Sequence, residues 1–126
     1  MPLTPDDFRR LALALPGAVE GAHMGHPDFR VGGKVFASLI HRGDWMGMVR
    51  LAPPDQHALL RVEPDVYVPA NGSWGRQGCT MVRLSLASSA SVRAALSSAW
   101  SHVGAKTAVS NSSRARAKSP KPRRRR

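Results

Sequence analysis

Two short segments alternate with period two, and that alternation limits what the chain can fold into. In "WMGMVRL" (45–51), Trp45, Gly47, Val49 and Leu51 fall on one side of an extended strand, with Met46, Met48 and Arg50 on the other. In "TMVRLSL" (80–86), Val82, Leu84 and Leu86 stand opposite Met81, Arg83 and Ser85. A strand with one aliphatic side needs a covering layer there, whereas the side carrying Met and Arg does not. Amphipathic helices provide the cover. Thr4-Pro5-Asp6-Asp7 reads as a helix start: a capping hydroxyl, a proline suited to the first helical position, and two acids at the positive end of the dipole. Phe8, Leu11, Ala12 and Leu15 then form one apolar stripe, which Pro16-Gly17 ends. Towards the other end, Val92, Ala95, Leu96, Ala99, Trp100 and Val103 recur at helical spacing, with Ser89 or Ser91 as the cap and Gly104 as the stop. Helices bracketing a run of strands predict an α+β two-layer sandwich, its antiparallel sheet covered on one face by the N- and C-terminal helices.

Between the helices, "FRVGGKVFASLI" splits into two strands around the hairpin signal Gly32-Gly33, and "DWMGMVRL" follows the turn-like "HRGD". "PPDQHALLRV" reads as a short helix, with Ala58, Leu59 and Val62 facing inward. "DVYVPA" is a brief strand ending at Pro69, "NGSWGRQG" a loop, and "CTMVRLSL" the last strand.

Charge divides the chain in two. Of 19 Lys and Arg against 8 Asp and Glu, nine cations and no acid lie in residues 105–126. Residues 1–104 are thus nearly neutral, with ten cations to eight acids. A block of like charge repels itself and has little apolar surface to bury. The expected organisation is therefore a folded domain, 1–104, and a disordered basic tail, 105–126. Cys79 is the one cysteine, so the chain forms no internal disulfide, which suits a reducing interior. The apolar stretch near the N-terminus is interrupted by charge, and neither a signal peptide nor a membrane span is expected. The default compartment is the cytoplasm, with the tail drawing the protein towards the nucleoid.

An ordered set of short matches is more specific than any one of them. Leu15-Pro16-Gly17, Gly25-His26-Pro27, Phe29-Arg30-Val31 and Gly33-Lys34-Val35-Phe36-Ala37 are followed by Pro69-Ala70, Trp74-Gly75, Gly78 and Ala99-Trp100. Over roughly residues 5–106 the chain resembles the MmcQ/YjbR-like family of small bacterial proteins. The resemblance implies a fold like that of the frataxin homologue CyaY, described as a double-wing DNA-binding fold, and hence DNA binding. The chain departs from the family pattern at Cys79, where a Trp is expected after the glycine, and the basic tail lies outside the resemblance.

Phosphate contact is the chemistry that the residues themselves favour. Arg114, Arg116, Lys118, Lys121, Arg123, Arg124, Arg125 and Arg126 would each release counterions on meeting a phosphate, giving affinity without base recognition. In the domain, Arg50 and Arg83 project from the uncovered sheet face, Arg30 and Lys34 flank the Gly32-Gly33 turn, and Arg76 shares a loop with Trp74. Such cations with an exposed ring suit phosphates and base stacking. The plainer reading pairs them with Asp28, Asp44 or Asp65.

Other chemistries find less support. "GSWGRQG" has no G-K-[ST] and precedes a strand, so it is no phosphate-cradling loop. His23 and His26 lie on a stretch rich in Gly and Pro, and a zinc site would need His41, His57 or Cys79 to converge from elsewhere. A Cys79 nucleophile served by either histidine is weaker still. Frataxin-type iron binding uses a ridge of carboxylates, and here only Asp6 and Asp7 adjoin. Met46, Met48 and Met81 read as half-buried packing. The expectation is a non-enzymatic, low-specificity DNA-binding protein, without metal or cofactor, that takes most of its affinity from the tail. RNA would serve almost as well. The alternative is a small-molecule-binding or protein-interaction domain that its tail only localises.

Overall fold

The computed structural model describes residues 3–118. Helix α1 (Pro5–Leu13) opens as expected: Thr4 Oγ1 accepts from Asp7 N–H at 3.1 Å, while Asp7 Oδ2 accepts from Thr4 N–H at 3.0 Å. This reciprocal box satisfies two amide groups that the first turn leaves without partners. Six strands follow: β1 (Val19–His23), β2 (His26–Val31), β3 (Lys34–Arg42), β4 (Asp44–Arg50), β5 (Tyr67–Pro69) and β6 (Cys79–Arg83). They form one antiparallel sheet in the order β1-β2-β3-β4-β6-β5. Between β4 and β5 lies α2 (Pro53–Val62), between β5 and β6 the one-turn α3 (Gly72–Arg76), and after β6 the long α4 (Ser89–Lys118).

The predicted aliphatic side is the covered one. Cross-strand register aligns Ala37, Val49 and Thr80 in one row, and Leu39, Gly47, Val82 and Tyr67 in the next. All of these are buried, beneath α1 and the buried stripe Val92, Ala95, Leu96, Ala99 and Val103 of α4. The Phe8 and Phe29 rings meet with centroids 6.0 Å apart. The Trp100 indole donates to the Pro16 carbonyl at 2.8 Å, lashing the turn after α1 to α4. This is the α+β sandwich that the alternation predicts.

Several local expectations are corrected. "VEGAH" is an additional edge strand, β1. It is short and polar, and its backbone is recruited by pairing with β2. In α2 Leu59 packs on the core as expected, but the buried residue is Gln56, 3% exposed, whereas Val62 is 73% exposed and Ala58 is on the surface. The "NGSWGRQG" segment contains a helical turn, and "LSL" leaves the last strand as a 3-10 turn (Leu84–Leu86). The cap of α4 is Ser88, whose Oγ accepts from Ser91 N–H at 3.2 Å. The helix continues through Gly104, where the sequence places its stop. Gly104 does not take the left-handed conformation that would end it. An interior glycine costs a helix only about 1 kcal/mol relative to alanine. The rest of the expected tail, from residue 119, lies outside the described residues. Among the described residues, no helix is long and apolar enough to cross a membrane.

Candidate nucleic-acid interface

The sheet face turned away from α1 and α4 is built by the residues of opposite parity. Register runs Gly21, Asp28, Ser38, Met48, Met81 and Val68 in one row across all six strands. Met46 pairs with Arg83, and Arg50 with Cys79, in the flanking rows. Met46, Met48 and Met81 are half-buried and Cys79 is buried, matching the packing roles expected of them.

Trp74 reaches this face because α3 is pinned from behind. Gln56 Nε2 donates to the Gly75 carbonyl at 2.9 Å and to the Cys79 carbonyl at 3.2 Å. Gly78 leaves no room for a side chain, since a Cβ there would lie 1.8 Å from the Leu51 carbonyl oxygen. Thus fixed, α3 holds Trp74 58% exposed, with the Arg50 guanidinium carbon 6.0 Å from its ring centroid. That is within cation–π range. A cation and a ring side by side are the two groups a nucleotide needs, one for its phosphate and one for its base.

The other predicted cations differ among themselves. Arg83 is exposed, and its Nη1 donates to the Asp65 carbonyl at 3.1 Å, a backbone contact that leaves its charge unneutralised. Lys34 is exposed at the β2–β3 hairpin, and Arg76 is exposed at the end of α3. Arg30 departs from the expected projection at the hairpin: its Nε donates to Asp28 Oδ1 at 2.8 Å and its Nη2 to Asp28 Oδ2 at 3.0 Å. The plainer expectation of pairing with an acid thus holds for Arg30. Arg114, Arg116 and Lys118 lie on the α4 backbone, and Lys121 and Arg123 to Arg126 lie outside the described residues.

The burial of Asp28 is what the sequence does not announce. The residue is fully buried on the otherwise open face, between Arg30 and His23, whose Nδ1 lies 2.7 Å from Asp28 Oδ2. Hydrogen bonds from Arg30 hold its carboxyl below the usual carboxylate range, against burial, which raises it, and His23 assists. Gly21 opposite makes the room, since a Cβ there would sit 2.9 Å from Asp28 Oδ1. The signal was Met24-Gly25: read as a two-residue turn, it pairs His23 with His26 and Gly21 with Asp28.

The remaining candidates do not converge. β1 and β6 are four strands apart, about 19 Å at the usual strand spacing, so Cys79 has neither His23 nor His26 beside it. His41, on β3, lies against the Trp45 ring with centroids 4.8 Å apart, while His57 is on α2. Asp6 and Asp7 pair with Arg9 and Arg10, each at 2.8 Å. A groove of about 440 Å³ opens beside the segment that follows α2 and another of about 350 Å³ between the start of α2 and α4; of the predicted contact residues they include Arg83 alone.

Comparison with known proteins agrees with this architecture. The model of the YjbR family matches residues 13–102. A crystal structure of Deinococcus radiodurans protein DR2400, with a DUF419 domain, is similar in fold at a TM-score of 0.68 and 18% identity, over 80% of this chain and 78% of that one. No curated protein matches the sequence.

Proposed function

The chain belongs to the YjbR family, and we propose that it is a non-enzymatic nucleic-acid-binding protein of low sequence specificity, with DNA as the favoured ligand. The Arg50–Trp74 pair on the sheet face turned away from α1 and α4 carries this reading. Arg83 extends the same face, Arg76 and Lys34 border it, and the nine cations of residues 105–126 supply long-range attraction. The division of labour is physical. Flexible or helical, a polycation gains from counterion release on any phosphate backbone, whereas an aromatic ring gains only where a base is unstacked enough to lie on it. The C-terminal cations thus hold the polymer, and the domain favours single-stranded or frayed stretches. With such a ligand the working compartment is the cytoplasm, at the nucleoid.

Duplex and single-stranded DNA binding measured across salt tests the reading in the full chain, in a chain ending at residue 104, and in an Arg50→Ala, Trp74→Ala double variant. Val103 is the last buried residue of α4 among those whose side chains are described, and the chain ending at residue 104 keeps it. If about five tail cations engage duplex, the log–log salt slope of the full chain is roughly −4 to −5, and most of it disappears on truncation. The double variant weakens single-strand binding by about 1–3 kcal/mol for each stacked base. An undiminished single-strand affinity in that variant would remove the domain from the account. Absence of binding by the full chain at low salt would remove the function itself.

A further inference from the structure

The β1–β2 hairpin brings two imidazoles together in a way that nucleic-acid contact does not require. His23 and His26 are the cross-strand pair that closes the hairpin, with ring centroids 6.4 Å apart at 67°. The turn between them is made by Met24 at φ 51° and Gly25 at φ 79°. Met24 is the one non-glycine residue with positive φ among the described residues, and it is 91% exposed. Left-handed backbone at a side chain of this size is uncommon, and such strain gathers at sites with a role.

Asp28 then selects the chemistry of His23. Both Asp28 oxygens accept from the Arg30 guanidinium and so face His23 as acceptors; the Nδ1 atom 2.7 Å away carries the hydrogen, and the lone pair of neutral His23 resides on Nε2. A carboxylate behind one imidazole nitrogen is the arrangement that orients metal-binding histidines and raises their basicity. The Arg30 charge is matched by the same carboxylate through two hydrogen bonds, so the pair presents little net repulsion to a cation. His23 is half exposed, and among the described residues no hydrogen bond fixes the ring of His26.

We infer that His23 and His26 form a surface site for a first-row transition-metal ion of the zinc or copper(II) class, bound through His23 Nε2 and the His26 imidazole, with Asp28 as positioning residue. Two imidazoles sharing a tetrahedral ion at metal–nitrogen distances of about 2.0–2.1 Å have centroids roughly 5 Å apart. A modest rotation of the His26 ring closes the difference from 6.4 Å. Water completes the shell. No three His, Cys, Asp or Glu side chains group around a metal position among the described residues. The site is accordingly an open one, suited to exchangeable binding rather than to structural zinc.

Calorimetric titration of the full chain with Zn²⁺, in buffer free of phosphate and chelators, tests the inference. A single Zn²⁺ equivalent is expected, while Mg²⁺, which demands oxygen ligands, produces no binding. His23→Gln and His26→Gln, both at the hairpin end, should each weaken Zn²⁺ binding roughly tenfold or more, and Asp28→Asn by about 10–100-fold. His57→Gln, on α2, should leave it unchanged. Circular dichroism establishes that each variant is folded; should Asp28→Asn not fold, the two histidine variants decide. The inference is overturned if the parent chain binds no Zn²⁺. It is equally overturned if affinity survives in either His23→Gln or His26→Gln.

Discussion

Replacing Gln56 by Met probes how Trp74 is held. The side chain is 3% exposed, and its Nε2 serves two carbonyls, those of Gly75 and Cys79. Methionine has nearly the same length and volume, so it removes the donor without opening a cavity. Each carbonyl keeps one backbone donor, Gly78 N–H at 3.1 Å for Gly75 and Ala70 N–H at 2.9 Å for Cys79. Neither oxygen is therefore left bare, and the cost is that of the hydrogen bonds themselves, about 0.5–1.5 kcal/mol each. Some of this is recovered by burying a thioether in place of an amide, leaving a net loss of about 1–2 kcal/mol. In thermal unfolding each kcal/mol lowers Tm by about 4–8 °C for a domain near this size. Gln56→Glu supplies the sign control: at neutral pH it sets a carboxylate against two carbonyl oxygens and should destabilise well beyond Met. The reasoning fails if Gln56→Met is as stable as the parent, or if Glu is tolerated as well as Met.

Two further outcomes follow from packing and burial. In Gly47→Ala the new methyl would sit 2.5 Å from Phe8 Cε1, with Phe8 itself fully buried. Overpacking of about 1–3 kcal/mol should exceed the roughly 0.4–1 kcal/mol gained by restricting the unfolded chain. Denaturant melts should show that loss, and Phe8→Leu should restore part of it. Burial, foremost, and the nearby Glu63 charge push the Tyr67 hydroxyl above its ordinary value of 10.0, against the lowering bond to Ser91. A raised folded value means that this contribution is complete below pH 10 and is lost as pH climbs from there through the folded value. Tyr67 is the one tyrosine, so tyrosinate absorbance reads it alone; ionisation at or below its ordinary value would contradict the burial.

What was legible in the sequence was what repeats. The stripe Val92, Ala95, Leu96, Ala99 and Val103 and the alternation of Val49 against Arg50 both follow from a single period, and both are where that period puts them. Arg50 and Arg83 could therefore be assigned to the uncovered face without a structure. What escaped depends on partners distant in the chain. β1 exists because β2 offers it an edge, and Gln56 is buried because Gly75 and Cys79 present carbonyls to it. Arg30 and Asp28 look like ordinary surface charges until the register sets Gly21 opposite Asp28, letting the carboxylate sink and draw the guanidinium with it. Helical spacing likewise promised Val62 to the core, yet α2 turns its polar Gln56 inward.

The hydrogen bond from Trp100 to Pro16 spans 84 positions of the chain. During synthesis α1 leaves the ribosome before the strands, and Phe8 can settle on Phe29 of β2 and Gly47 of β4 as these follow, but its tie to α4 waits until that helix is made. Closure of the domain is then a late clasp between the turn after α1 and α4. A polypeptide arrested before α4 would hold a sheet whose aliphatic side α1 covers only in part, an invitation to chaperones rather than a working intermediate.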